Sequence, residues 1–167
     1  MNIEIRLAYE EQDKIGELFQ EYISLLIEKD PSIIEYLTQQ NYEAELEHLE
    51  HKYGLPNGRL YIAYIEHVPV GCVGLRPIDH TTCEVKRLYV RPEFRGQRIG
   101  IRLMDQLVLD AKEIGYQYMV LDTLPYLTNA IAMYKNYGFY EIPPYNNSPM
   151  TYSIFMRFDL SDQLTPC

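Results

Sequence analysis

Cysteine is scarce in this chain: of its 167 residues only Cys72, Cys83 and Cys167 carry a thiol, an odd number, widely spaced and without a CxxC pair. That argues against a disulfide framework or a cysteine zinc site, and fits reduced thiols in a cytosol. No apolar run approaches the roughly 18 residues that suggest a membrane span, so no membrane partner is expected. The opening MNIEIRLAYEEQ carries acids and alternates like a strand, and does not read as a signal peptide. Basic residues are outnumbered, 15 Lys and Arg against 24 Asp and Glu, for a formal net charge of −9. Nucleic-acid binding draws most of its affinity from basic surface meeting phosphate, so DNA and RNA are not the expected ligands. The acidic balance suits a cationic small substrate, and serves equally well as a solubility device.

Several familiar signatures are also missing. Without GxxxxGK[ST] there is no P-loop, and without GxGxxG after a first strand there is no dinucleotide Rossmann site. His48 and His51 stand three apart on a helix, but two ligands do not make a metal site, and His67 and His80 fall in turns. No Ser-His-Asp or Cys-His arrangement emerges, and no metal is expected. No repeat or Pro/Gly/Ser linker divides the sequence, so residues 1–167 are read as a single domain with an ordinary globular balance of 47% hydrophobic and 23% charged residues.

What is present is a clear alternation of patterns. Ile3 to Leu7 alternates with period two and predicts a strand. From about Glu10 to Gln40 the period is helical, with Ile15, Leu18, Phe19, Tyr22, Ile23 and Leu26 on one face. Asp30-Pro31 interrupts that helix, and a second amphipathic stretch runs from about Tyr42 to Tyr53. Residues 60–65, 70–75 and 83–90 predict three strands of an antiparallel meander. A helix over about 98–114, with Gly115 beyond its end, leads to a strand at 118–123. Such a crossover would set 118–123 parallel to 83–90. A helix over about 127–137 and a final strand pair ending near Leu160 complete a mixed α/β reading.

The chemistry sits where strand 83–90 turns into the helix at 98. A helix N-terminus leaves its first N–H groups unpaired and carries partial positive charge, so it attracts phosphate. Gly96 and Gly100 let the backbone approach a ligand closely, and Arg95 and Arg98 add cationic donors. The bland alternative is an exposed Arg/Gly turn that merely caps a helix.

Arg95-Gly96-Gln97-Arg98-Ile99-Gly100 resembles the acyl-CoA motif [RQ]-x-x-G-x-[GA] of the GNAT superfamily of N-acyltransferases. It lies within CEVKRLYVRPEFRGQRIGIRLM (residues 83–104), and a second family-like block, NAIAMYKNYGF (129–139), follows at the expected distance. One departure is Arg98, which stands where the pattern usually has glycine; its side chain is tolerated if it points to solvent. The resemblance implies the GNAT fold: a mixed sheet of about six to seven strands, splayed into a V-shaped cleft and flanked by about four helices. It implies acetyl-CoA as acyl donor, with Leu88, Tyr89 and Val90 along the pantetheine. It also implies residues 95–101 (Arg95, Gly96, Gln97, Arg98, Ile99, Gly100, Ile101) at the pyrophosphate and Asn129 touching the pantetheine. Splaying in this family usually comes with a bulge in the first strand. Strict alternation would place Glu84 and Lys86 on one face with Leu88 and Val90, which is awkward without a break in register.

By the same resemblance Tyr134, five residues after Asn129, protonates the leaving thiolate; otherwise it is one core tyrosine among 16. Glu84 stands where histone-type members carry a general base, and reads equally as an ion-paired strand glutamate beside Lys86 and Arg87. The implied reaction is transfer of an acetyl group to a primary amine of a small molecule, in the cytoplasm. A protein amine as acceptor, or a non-catalytic acyl-CoA-binding domain, are the alternatives. Segment 143–149, PPYNNSP, would border the acceptor, and Tyr145 and Asn146 would contact it or merely shape a proline-rich turn. Proteins of this kind are often homodimers, but no stripe in the sequence declares an interface.

Overall fold

The computed structural model describes residues 2–160; Cys167 lies outside them. Strand β1 (Ile3–Leu7) is followed by helices α1 (Gln12–Lys29), α2 (Ile33–Gln39), α3 (Tyr42–Glu47) and α4 (Leu49–Tyr53). Strands β2 (Arg59–Ile65), β3 (Val68–Pro77) and β4 (Thr82–Val90) form the expected meander. Then come α5 (Ile99–Ile114), β5 (Tyr118–Thr123), α6 (Thr128–Tyr137), β6 (Tyr140–Ile142) and β7 (Ile154–Asp159). The seven strands make one open mixed sheet in the order β1-β2-β3-β4-β5-β7-β6.

Helices cover both faces, and β2 shows how one strand serves both. Leu60, Ile62 and Tyr64 pack with Ile15, Leu18 and Phe19 of α1, while Tyr61, Ala63 and Ile65 pack with Leu103, Leu107 and Ala111 of α5. Period two in the strand thus meets period 3.6 in the helices on each side. Burying each such aliphatic side chain contributes roughly 1.5–3 kcal/mol, so these two layers are the main source of stability.

The region between α1 and β2 is more broken than its hydrophobic periodicity suggests. A residue before proline avoids helical geometry, and Asp30 is accordingly extended, closing α1. Its carboxylate accepts from the Ser32 backbone N–H at 3.1 Å and the Ser32 hydroxyl at 2.6 Å. The stretch read as one helix from Tyr42 to Tyr53 is two, because His48 leaves helical geometry at φ −138°. Apolar spacing survives a break of that kind, so periodicity alone does not reveal it.

Two features of β4 position the site. It is the strand that pairs in parallel with β5, and that pairing covers only Thr82↔Tyr118, Cys83↔Met119 and Glu84↔Val120. Past Glu84 the strands part, and β5 continues instead along β7. The closed end of this V is held by the Gln117 and Tyr118 N–H groups, both donating to the Thr81 carbonyl at 2.8 and 3.0 Å. β4 also carries the expected bulge. Its register with β3 passes from Gly74↔Lys86 to Cys72↔Tyr89, so β4 holds one extra residue, with Arg87 at φ 60°. Leu88 and Val90 therefore pack on the α5 side with Cys83 and Val85, while Tyr89 turns to the α1 side.

Candidate active site

The parting of β4 and β5 opens a cleft of about 650 Å³. Leu88, Tyr89 and Val90 line it from β4, Leu121, Asp122 and Thr123 from β5, and Tyr22 from α1. The β4 edge that faces it has no partner strand beyond Glu84. Two helix N-termini reach the same space: Ile99, Gly100 and Ile101 of α5, and Thr128, Asn129 and Ala130 of α6. Neither helix has a side-chain cap bond at its start, which leaves the first backbone N–H groups free for a ligand.

The turn into α5 is made by two left-handed residues, Gly96 at φ 84° and Arg98 at φ 64°. Arg98 caps the helix, and its side chain is exposed. Glycine is the residue that takes this backbone without strain, which accounts for arginine being unusual there. Arg95 folds back, its Nε donating to the Val90 carbonyl at 3.0 Å. A Cβ on Gly100 would come 3.3 Å from the Met133 sulfur, so the bare α-carbon lets α5 approach α6 across the cleft floor. Of the residues expected at the donor, Leu88, Tyr89, Val90, Arg95, Gly96, Arg98, Ile99, Gly100, Ile101 and Asn129 all line the cleft. Gln97 does not; its side-chain Oε1 is buried with no hydrogen-bond partner.

Tyr134 lines the cleft and is 7% exposed. Burial, with the nearby Tyr22 and Asp122, pushes its phenol far above the ordinary value, so it keeps its proton at neutral pH. Burial likewise pushes Tyr22 up to about 12.

Past this cleft lies a chamber of about 60 Å³, which shares Tyr22, Arg87, Asp122 and Leu127 with it. The chamber in turn shares Tyr36, Gln40 and Lys86 with an outer cavity of about 580 Å³ between α2–α4 and the segment after β6. Glu84 faces that outer cavity, not the cleft. It is 1% exposed, and both its oxygens are taken: Oε1 by Arg76 Nε at 2.6 Å and Oε2 by the Tyr145 hydroxyl at 2.5 Å. The carboxylate that borders both cleft and chamber is Asp122, which accepts from the Tyr36 hydroxyl and from Asn146 Nδ2 at 3.1 Å. Asn146 meanwhile accepts from the Ser148 N–H at 3.0 Å, so it both shapes the turn and reaches the site.

The floor of the outer cavity is a buried charge network. Arg87 donates to Glu45 through Nε at 3.0 Å and Nη2 at 2.9 Å, Lys52 Nζ lies 2.7 Å from Glu45, and the Tyr53 hydroxyl donates at 2.8 Å. Burial alone would raise the Glu45 carboxyl, but the Arg87 and Lys52 contacts outweigh it and hold it down to about 2. At the rim His48, Glu50 and His51 bring three ligand atoms within 4.8 Å of one another, all exposed.

A family profile described as the acetyltransferase (GNAT) family matches residues 17–139. The chain belongs to this family. GNAT membership makes it an acyltransferase that draws its acetyl group from acetyl-CoA. Among its relatives, an uncharacterized N-acetyltransferase of Schizosaccharomyces pombe is 41% identical over 127 residues, covering 75% of this chain and 78% of that one. An uncharacterized N-acetyltransferase of Dictyostelium discoideum is 34% identical, covering 96% of this chain and 100% of its own. The PaiA N-acetyltransferase of Thermoplasma acidophilum, solved with coenzyme A, shares the fold with a TM-score of 0.74 at 18% identity, covering 95% and 99% of the two chains.

Three residues that line the chamber escape sequence reading as site candidates: Tyr36, Lys86 and Asp122. Asp122 has one visible sign, an acid near the end of the otherwise apolar strand YMVLDT. Tyr36 lies hidden in a helical stripe, and Lys86 among the charges of β4.

Proposed function

We propose that this GNAT protein transfers the acetyl group of acetyl-CoA to the primary amine of a small molecule, by direct attack within a ternary complex. The observation that carries this reading is the open edge of β4, which runs past two uncapped helix N-termini and ends beside the buried phenol of Tyr134. Backbone groups near Leu88, Tyr89 and Val90 pair with pantetheine amides as an added strand would. The N–H groups from Gly96 to Ile101, Gln97 included, hold the pyrophosphate with help from Arg95 and Arg98. Open space at Gly96, where a Cβ would meet nothing within 4 Å, supports an approach from that side. Asn129, exposed on the first turn of α6, contacts the pantetheine.

Acetyl-CoA supplies the activated thioester; the protein supplies proton control. An alkylammonium with a pKa near ~10.4 costs roughly 4–5 kcal/mol to deprotonate at pH 7. Asp122, which borders both cleft and chamber, receives the ammonium and helps remove its proton. Glu84, held by Arg76 and Tyr145, shapes the approach from the outer cavity. Tyr134 gives its phenolic proton to the leaving sulfur and regains one from the nitrogen as the amide forms.

The outer cavity, about 580 Å³, has the size of a small-molecule site and supports a small acceptor over a protein one. Cys72 and Cys83 are free, buried thiols, in keeping with a cytoplasmic protein. No helix among the described residues is long and apolar enough to cross a membrane. A spectrophotometric thiol-release assay with acetyl-CoA and an amine panel tests the reading. Acceptor-dependent release is expected; coenzyme A binding with no release for any amine would leave only a binding domain.

A further inference from the structure

Lys86 is 7% exposed and lines both the chamber and the outer cavity, yet among the described residues its Nζ has neither an ion pair within 4 Å nor a hydrogen bond. Its neighbours are all accounted for. Arg76 is paired with Glu84, and Arg87 and Lys52 are both paired with Glu45. Lys86 Nζ lies 6.0 Å from the centroid of the Tyr36 ring. Across the chamber, Asp122 is bound only by the neutral donors Tyr36 and Asn146, and among the described residues no cation lies within ion-pair distance of it. The junction where β4 and β5 part therefore holds one unpaired cation on β4 and one unpaired anion on β5.

For Lys86, which is buried, an unpaired charge costs several kcal/mol unless a partner arrives; Asp122 is half-buried and already accepts two hydrogen bonds. Lys86 and Asp122 bracket a space of about 60 Å³, several times the roughly 10–15 Å³ that one water needs. The partner that satisfies both at once carries an ammonium and an acid group a few bonds apart.

We propose that the acceptor is a zwitterion of the α-amino-acid kind, its carboxylate seated on Lys86 and its amine on Asp122, with its side chain in the outer cavity. This rests on the acetyl-transfer reading above and narrows it. The ion pair to Lys86 fixes the amine at the junction, pointing toward the Tyr134 end of the cleft. Burial lowers the Lys86 ammonium from its ordinary value, while Glu84 and Asp122 pull the other way; a bound carboxylate adds to that pull and keeps it charged. Asn146 and Gln40 stand at the same cavity wall as further donors to an acid group.

The test uses the full chain with saturating acetyl-CoA and matched acceptors: an amino acid, its primary amide, and the amine left by removing the carboxylate, across several side chains. Wild type is expected to favour the amino acid over its decarboxylated amine by about 30-fold in kcat/KM, mainly through KM. In Lys86→Met that ratio should fall toward one, and Lys86→Arg should restore part of it. Because the ratio is taken within one variant, a general loss of active protein does not move it. Equal use of amino acids and matched amines by wild type overturns the zwitterion inference and leaves acetyl transfer standing. An undiminished preference in Lys86→Met removes Lys86 from it. Release with none of the acceptors, while coenzyme A still binds, defeats the acetyl-transfer reading and this one with it.

Discussion

Replacing Arg98 by glycine separates two contributions that the same residue makes to α5. Its backbone is left-handed, at φ 64° and ψ 21°, which costs an L-residue other than glycine roughly 1–2 kcal/mol. Glycine removes that cost but frees the unfolded chain, which takes back about 0.4–1 kcal/mol. The difference favours the variant by about 0–1.5 kcal/mol. For a chain of this length each kcal/mol moves Tm by roughly 2–4 °C, so Arg98→Gly should melt at the same temperature or up to about 6 °C higher. Binding should move the other way. An exposed guanidinium meeting a phosphate contributes about 0.2–1 kcal/mol, so the acetyl-CoA Kd should rise about 1.5- to 5-fold in low salt. In 1 M salt, where the Debye length is about 3 Å, the two proteins should bind nearly alike. Calorimetric melting and titration at two salt concentrations read both quantities. An unchanged Kd in low salt refutes phosphate pairing by Arg98, and a lowered Tm refutes the strain argument.

Tyr134→Phe should lower turnover at least tenfold while acetyl-CoA binding changes less than twofold; near-normal turnover would take Tyr134 out of the mechanism. Asp122→Asn should lower kcat/KM at least tenfold, whereas Glu84→Gln should lower it far less. The larger loss in Glu84→Gln would instead make Glu84 the base. Glu45 links the site to acid stability. Its folded carboxyl titrates near 2 against an ordinary 4.5, so its contribution is complete above about pH 5 and fades as pH falls through 2. Glu45→Gln leaves Arg87 buried without its anion and should cost about 3–5 kcal/mol at pH 7. Urea unfolding across pH 2.5–7 should show a flatter acid dependence in the variant; an identical slope would discount the Glu45 shift.

The parts of the site carried by local pattern are legible in the amino-acid sequence itself. The anion cradle is a turn and a helix start within eight residues, and the bulge follows from Glu84, Lys86, Leu88 and Val90 falling on one face under strict alternation. Expected strand bounds at Ile3–Leu7 and Tyr118–Thr123 match those observed. The acceptor side is not legible there, because it is made of contacts distant in sequence. Tyr36 meets Asp122 across 86 residues, and Tyr145 meets Glu84 across 61. No spacing rule announces such pairs, and the pairing state of Lys86 depends on where every neighbouring acid ends up. The helix break at His48 is hidden because the apolar stripe continues through it on either side.

The extra residue at Arg87 resets the phase of β4 half-way along its length. Were the same residues to alternate evenly without the bulge, everything past Lys86 would be rotated by half a turn about the strand. Leu88 and Val90 would then face the helices that enclose the acceptor, and Tyr89 would point into the opposite layer. A single strand borders both the cleft and the outer cavity, and one supernumerary residue lets its two halves face different ones. Shortening the strand by Arg87 itself would keep Leu88, Tyr89 and Val90 on their present faces and remove only the guanidinium that pairs with Glu45.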